Sequence, residues 1–426
     1  MIGEIFDEHT RQDIVDAQSL KLDAFALNFN QFASWSNNTV DRLFDNADDL
    51  GFGLFFSFDM APGYFSSPSE YSDYLKGYLT RDSYFEFNGK PLVSTFGGED
   101  VSNADWADFK SSVGDVLVIP GFYEATPSTT FFDSRSSLDG VFNWNSWPFP
   151  DEGKANASTT DDSTFMSAAH SASKLFMMGI SPLQFKHLDT SNNWYRRGEG
   201  NLENRLLQAL ELQPDMIELQ TWNDAGESHY MGNLWDEPMT GSVIHNYVDG
   251  YDHKGYWEIL SAFIQAYKRG DTSGENMVPT NGKTIQGAYW HHTLLVDGDC
   301  SSDPLKKPGN VENVEDAVSG VILVAKEQTG LVGVVNSGSG SKELGKINLV
   351  EGYNAFKFDG LTAGKVTVEV WDGSTMVGGG YGPLEASATF HHLSQEASNE
   401  MHTDIFKVAS SASICNYNFQ VVGFPG

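Results

Sequence analysis

Along roughly the first 270 positions, short apolar runs alternate with longer amphipathic stretches. The short runs are Met1–Ile5, Ala24–Asn28, Gly53–Phe58, Pro91–Thr95, Val116–Pro120, Gly140–Asn143, Phe176–Ile180 and Met216–Thr221. Several lack strict alternation, as expected of parallel strands buried on both faces. Between them, Asn38 to Leu50 sets Val40, Leu43, Phe44 and Ala47 on one helical face, with Asn38 or Thr39 as cap. Pro68-Ser69-Glu70 opens another helix, and Asn201–Leu212 and Tyr256–Lys268 read as two more. Strand followed by helix, repeated about eight times, predicts an α/β fold of the (β/α)₈ TIM-barrel type over residues 1–270. No G-x-G-x-x-G follows an early strand, which removes the main support for a dinucleotide-binding sheet.

The pattern then changes. Residues 271–283 are rich in Gly, Ser, Thr and Asn and read as a linker. Beyond them Lys365–Trp371 alternates with period two, Leu331–Asn336 is another short run, and Gly338-Ser339-Gly340 and Gly378-Gly379-Gly380 mark turns. Residues 284–426 are therefore expected to form a β-sandwich accessory domain.

Composition narrows the partners. Lys and Arg total 26 against 58 Asp and Glu, a formal charge of -32 that repels nucleic acid and anionic membrane surfaces but costs a neutral polymer nothing. No apolar run approaches the roughly 20 residues needed to span a bilayer. Met1–Ile5 reads as a strand rather than a signal peptide, so the chain is either cytosolic or shown without its signal; sequons at Asn37 and Asn156 favour secretion. Cys300 and Cys415 either form one disulfide, contributing roughly 4–5 kcal/mol by chain entropy, or are two separate buried thiols.

Barrel enzymes act at the carboxyl ends of their strands. The runs lead into Asn28-Phe29-Asn30, Asp59-Met60, Gly98-Glu99-Asp100, Tyr123-Glu124 and Trp144-Asn145. The last leads into Trp222-Asn223-Asp224-Ala225-Gly226-Glu227-Ser228-His229-Tyr230, which gathers two carboxylates, flanking aromatics and an imidazole. Glycoside hydrolysis needs one carboxylic acid to protonate the leaving oxygen and one carboxylate to activate water or attack the sugar. Asp224 and Glu227 have that composition, although D-x-x-E is equally a common helix start.

The run Thr221–Tyr230 resembles the W-N-D-x-G-E-S-H-Y signature of glycoside hydrolase family 71, the fungal α-1,3-glucanases or mutanases. Asp23–Asn28, Phe56–Asp59, Pro91–Phe96, Ser181-Pro182, Asn193-Trp194 and Arg197 resemble other family segments in the same order, and Ala225 departs mildly towards a smaller residue. The resemblance implies an endo-acting, inverting hydrolase of cell-wall α-1,3-glucan, with a secretion signal ahead of the barrel and a secreted or wall location. By position its catalytic carboxylates are Asp224, Glu227 and Asp59. Glu227 is expected as general acid and Asp224 as base, with Asp59 holding charge or the water. In the permuted assignment Asp59 is the base and Asp224 tunes the acid. Trp35, Trp144, Trp147, Trp194, Trp222 and Trp235 are candidate sugar platforms, each equally readable as packing, while Asn28, Asn30, Asn223, His229 and Tyr230 are candidate sugar contacts.

No cofactor and no catalytic metal are expected. His291-His292 and His391-His392 lie where strand neighbours point to opposite faces, and neither H-E-x-x-H nor G-x-S-x-G occurs. The expected partner is the polysaccharide alone, with no nucleic acid or membrane, and the chain is expected to act as a monomer. A non-catalytic wall-binding barrel is the alternative. The β domain is expected to brace the barrel rather than bind glucan, because no exposed aromatic row is legible in it.

Overall fold

The computed structural model describes residues 3–388 and 414–426. A parallel sheet dominates the first part, with β1 (Ala24–Phe29), β2 (Gly53–Asp59), β4 (Lys90–Phe96), β5 (Leu117–Gly121), β6 (Gly140–Asn143), β7 (Leu175–Ile180) and β10 (Met216–Leu219) adjacent in chain order. A two-residue strand, β3 (Glu86–Phe87), pairs antiparallel with β4. The hairpin β8 (Gln184–Asp189) and β9 (Asn192–Arg196) stands between β7 and β10. Helices α1 (Asp7–Ser19), α2 (Ser34–Leu50), α3 (Ser72–Lys76), α4 (Asn103–Val113), α5 (Thr160–Ser171), α6 (Asn201–Leu212), α7 (His245–Val248) and α8 (Trp257–Arg269) fill the connections.

The barrel thus has seven parallel strands among the described residues rather than eight. Of the expected first strand, Met1 and Ile2 lie outside the described residues. Gly3–Phe6 makes no ladder; Ile5 is buried, and its amide donates to Thr39 Oγ1 at 3.0 Å. The sheet's two ends, β1 and β10, share no ladder either. Between them runs a cavity of about 470 Å³, bounded by Ile5, Leu20 and Leu22 on one side and Leu260, Phe263 and Ile264 of α8 on the other.

Helix faces follow the apolar pattern. Val40, Leu43, Phe44 and Ala47 of α2 are buried, and Gly51, at φ +69°, ends that helix in the left-handed conformation. One buried ion pair locks the far side of the barrel. Arg205 of α6 meets Asp162 of α5 at 2.7 Å, both side chains 1% exposed. Asn143 at the end of β6 donates to the same carboxylate at 2.8 Å, and Arg205 donates to the Gly179 carbonyl of β7 at 2.9 Å.

After α8 the segment 271–283 is mostly exposed but touches the rest of the fold: Met277 is fully buried, and a Cβ on Gly274 would lie 2.6 Å from that of Tyr353. Two antiparallel sheets follow. One has the order β15 (Gly352–Asp359), β12 (Ala317–Val324), β11 (Ile285–His292), β18 (Phe419–Phe424); the other β14 (Lys342–Asn348), β13 (Leu331–Ser337), β16 (Val366–Asp372), β17 (Thr375–Tyr381). Tyr289, Ile322, Val335, Phe356, Val368 and Val370 belong to the apolar cluster between them.

The sandwich shares an apolar interface with the barrel, where Trp290 meets Tyr256 edge-on at 5.2 Å, and polar contacts add to it. Arg197 pairs with Glu315 at 2.5 Å and Tyr353 donates to the Glu203 carbonyl at 2.7 Å. The buried His187 of β8 meets Asp303 at 2.9 Å, and the Cys415 amide donates to that same carboxylate at 2.6 Å. Cys300 and Cys415 are disulfide-bonded across 115 positions, the first of the two alternatives left open by sequence. His291 and His292 are buried on β11 with their ring nitrogens spent on backbone carbonyls and Gln420. His391 and His392 lie outside the described residues.

Breaking a buried pair by removing one partner strands the other charge. Arg205→Met should therefore lower the unfolding free energy by about 3–5 kcal/mol, measured from the urea transition. A loss below about 1 kcal/mol would show the pair to be dispensable.

Candidate active site

Three carboxylates meet the cavity at the carboxyl end of the sheet, together with Asn28, Phe96, Trp144 and Asn223. Asp59 is the last residue of β2 and lies in register with Phe96 at the end of β4. Asn28 lies in register with Ser57 on β1 and β2, and both side chains face the cavity. Asp224 and Glu227 come from the turn that follows β10.

That turn is held by its own side chains. The Asp224 amide donates to Thr221 Oγ1 at 2.9 Å, and Asp224 Oδ1 accepts the Glu227 amide at 2.9 Å. Tyr247 of α7 donates to the Gly226 carbonyl at 2.8 Å. The three-residue spacing is thus a capped turn and a pair of cavity-lining carboxylates at once, so the two readings open at the sequence level are compatible.

Each carboxylate has its own surroundings. Asp59 is 9% exposed, and burial raises its proton affinity above the ordinary aspartate value against the opposing Ala61 amide; the Glu227 charge pushes the same way. Burial acts upward on Asp224 as well, but His229 and the Glu227 amide overcome it and hold this carboxyl below its ordinary value. His229 Nε2 stands 3.3 Å from Asp224 Oδ2 and 3.9 Å from Glu227 Oε2. Glu227 accepts from Gln184 at one oxygen and from Lys186 Nζ, at 3.1 Å, on the other. One ligand atom from each of Asp224, Glu227 and His229 lies within 4.8 Å of the others.

Gln184 and Lys186 were not among the expected site residues. Both belong to β8, whose run Gln184–Asp189 includes His187 and Asp189 but matches no catalytic spacing; the Ser181-Pro182 and Trp194 resemblance flanking it was the available signal. Arg196 of β9 completes this wall, its guanidinium 5.5 Å from the Trp147 ring and 5.8 Å from the Trp194 ring. Burial lowers its pKa while the Glu227 charge opposes the change.

The aromatic candidates divide. Trp144 lines the cavity and meets Phe96 edge-on at 4.6 Å. Trp194 sits on the hairpin 5.9 Å from Lys186 Nζ, and Trp147 is buried 5.5 Å from the His229 ring. Trp222 forms part of the cavity wall, but its indole N–H is spent on Asp13 at 3.0 Å and its ring stacks on Trp257. Trp235 also donates to Asp13 and stacks on His9 at 3.8 Å, a packing role against α1. Trp35 lies on α2 and is no part of the cavity wall.

Asp13 is a buried carboxyl pushed up to about 6 by desolvation despite these donors. Tyr230, an expected sugar contact, is instead 1% exposed and no part of the cavity wall; it stacks on His253 at 4.0 Å and accepts from Asn418 at 3.1 Å, tying the turn to the chain before β18. Asn30 lies beyond β1 and outside the cavity wall; of the expected contacts, Asn28, Trp144, Trp222 and Asn223 line the cavity, and the buried His229 touches Asp224 from behind.

The sequence profile described as Glycosyl hydrolase family 71 matches residues 1–394. Glucan endo-1,3-alpha-glucosidase agn1 of Schizosaccharomyces pombe is 33% identical over 325 residues, 72% of this chain and 72% of that protein. The ascus wall endo-1,3-alpha-glucanase of the same organism is 29% identical over 394 residues, 88% of each chain. A mutanase of Penicillium rubens is 28% identical over 326 residues, 75% of this chain and 70% of that protein. With the profile running through barrel and sandwich alike, this chain belongs to glycosyl hydrolase family 71.

Proposed function

We propose that the chain is an endo-acting hydrolase of the α-1,3-glucosidic bonds of fungal cell-wall α-1,3-glucan, working by inversion. The observation that carries this reading is a sheet-end cavity with carboxylates from two separate elements, Asp59 on β2 and the Asp224–Glu227 turn after β10. The printed activities of the relatives, endo-1,3-alpha-glucosidase and endo-1,3-alpha-glucanase, supply the linkage. The barrel, residues 1–270, carries the chemistry, residues 271–283 join it to the sandwich, and residues 284–426 brace the hairpin wall. The disulfide and the exposed sequon residue Asn156 support a secreted or wall location. No described helix is long and apolar enough to cross a membrane.

An inverting pair stands roughly 6.5–9.5 Å apart, to leave room for water. One oxygen of Asp224 and one of Glu227 lie within 4.8 Å of each other, below that range, so we take Glu227 with Asp59, on the separate strand β2, as the working pair, the permuted assignment. Glu227 gives its proton to the leaving O3 as the C1–O3 bond breaks, and Lys186 stabilises the carboxylate left behind. Asp59, whose burial strengthens its hold on a proton, takes one from the water whose oxygen bonds to C1. Asp224 carries the turn and keeps its charge beside His229.

Removing either partner should cost at least about a hundredfold in kcat on α-1,3-glucan, the range typical of general acid–base catalysis. A fluoride leaving group needs no acid, so Glu227→Gln should regain turnover on an α-1,3-gluco-oligosaccharyl fluoride whereas Asp59→Asn should not. The opposite pattern would exchange their roles.

Stereochemistry tests the direct-water step independently. Proton NMR of fresh hydrolysate should show the β-anomer first, before mutarotation. An initial excess of the α-anomer would require a covalent intermediate instead.

The Asp224, Glu227 and His229 cluster has the residue types of a metal site, but Lys186 competes for the Glu227 carboxylate. EDTA dialysis should leave glucan hydrolysis unchanged. Loss of activity that zinc restores would move the chemistry onto a metal held by this cluster.

A further inference from the structure

We propose that the outer face of the sheet β14-β13-β16-β17 is a second carbohydrate-binding surface, taking a neutral α-glucan chain across Trp371 and Tyr381. The proposal rests on the reading of the chain as an α-1,3-glucan hydrolase, whose insoluble substrate extends far beyond one cleft.

The surface follows from strand alternation. On β16, Val366, Val368 and Val370 point into the sandwich and are fully buried, so Thr367, Glu369 and Trp371 point outward. Register sets Trp371 beside Val332 on β13 and Met376 on β17, and Thr367 beside Asn336 and Tyr381. Met376 and Tyr381 are 45% and 56% exposed, and neither they nor Trp371 belong to an apolar cluster of the interior. A Trp, a Met and a Tyr held together on an open sheet face are a costly exposure for a protein that leaves them unused.

Their polar atoms are already oriented. Glu369 accepts from Trp371 Nε1 at 3.1 Å through one oxygen and from Tyr381 OH at 3.4 Å through the other. The carboxylate therefore lies between two aromatic side chains, and on the same face Asn336 donates to Thr367 Oγ1 at 3.3 Å. Opposite Glu369 stands Gly379, where a Cβ would lie 2.3 Å from the Val368 carbonyl oxygen. The glycine lets β17 pack tightly against β16 and puts no side chain between Met376 and Tyr381. Aromatic faces that accept the C–H face of a pyranose, with a carboxylate and amide in reach of its hydroxyls, suit a sugar chain.

Charge excludes other polymers. Lys346 on β14 and Glu369 on β16 flank Val334, giving the face both signs, and the whole chain carries -32. A phosphate-bearing polymer would meet no cationic cluster here. This surface also answers the missing aromatic row: Trp371 and Tyr381 are ten positions apart in sequence, and the β16–β17 pairing brings both to Glu369 from opposite sides, Tyr381 opposite Thr367 and Trp371 opposite Met376.

The test uses the full chain with Trp371→Ala and Tyr381→Ala combined, and Tyr381→Ala alone as the variant least able to disturb packing. Binding to insoluble α-1,3-glucan is read by depletion at 4 °C, and hydrolysis is read separately on that glucan and on a soluble α-1,3-gluco-oligosaccharide. The double variant should bind the insoluble glucan about tenfold more weakly and degrade it correspondingly slowly, while turnover of the oligosaccharide stays at the wild-type level, and the single variant should fall between. Wild-type binding and turnover of insoluble glucan by both variants would overturn the surface and leave the reading of the cleft standing. Failure of the wild type to cleave either glucan would overturn the reading of the cleft and this proposal with it.

Discussion

A parallel sheet of seven strands leaves one side between β10 and β1 without a ladder, and covering that side organises the molecule. Apolar side chains of the N-terminal segment and of α8 close over the gap, because both faces of a parallel sheet must leave water. Helix α8 in turn packs against β11 and β18 of the sandwich. The closure is incomplete at its centre, where small residues such as Ala24, Ala26 and Ser57 leave the cavity that opens at the carboxylates. Glu218 of β10 faces this space with an oxygen that has no hydrogen-bond partner, and burial pushes its carboxyl up to about 8. A charge is thereby kept out of the barrel interior until the medium becomes alkaline.

The candidate site is assembled from two walls with different supports. Asp59 is carried by a central strand with ladders to both neighbours, so its position is set by the sheet. The opposite wall is built from turns. Asp224 and Glu227 lie on a segment fastened by Tyr247 and Thr221, and Lys186 and Gln184 arrive on a two-stranded hairpin. A lone hairpin is marginal in water. This one is fixed by the buried His187–Asp303 contact, by hydrogen bonds from Asn193 to the Leu305 and Lys307 carbonyls, and by the disulfide beside Asp303. The sandwich thus reaches the active site through the residues that position a lysine against Glu227.

The electrostatics of the site arise from the same division. Asp59 feels mainly desolvation, while Asp224 sits among donors that reverse it. Two aspartates in one cavity are driven in opposite directions by their surroundings, which is how a single site holds groups of unlike proton affinity at one pH. The chain as a whole carries a formal charge of -32, which disfavours polyanions and costs a neutral polymer nothing.

The alternation of apolar runs with amphipathic helices determined the parallel barrel, since burial on both faces imposes long apolar strands that few other folds need. Period-two alternation with glycine turns likewise determined the sandwich. The strand-end rule placed Asp59 among several acidic positions, and the Trp222–Tyr230 segment singled out Asp224 and Glu227 because carboxylates beside aromatics are local features; only the family resemblance raised Asp59 above the other strand-end acids. Other features were beyond local reading. The first run, Met1–Ile5, has strand-like residues, but Gly3–Phe6 finds hydrogen bonds to Thr39 and Glu237 instead of a ladder. Tyr230 belongs to the motif yet faces Asn418, a partner 188 positions away. Lys186, Gln184 and the His187–Asp303 anchor depend on which loop of the sandwich meets the hairpin, with Asp303 lying 116 positions beyond His187. Periodicity reports which face of an element is buried; only the tertiary structure decides what that face, or the turn at its end, is buried against.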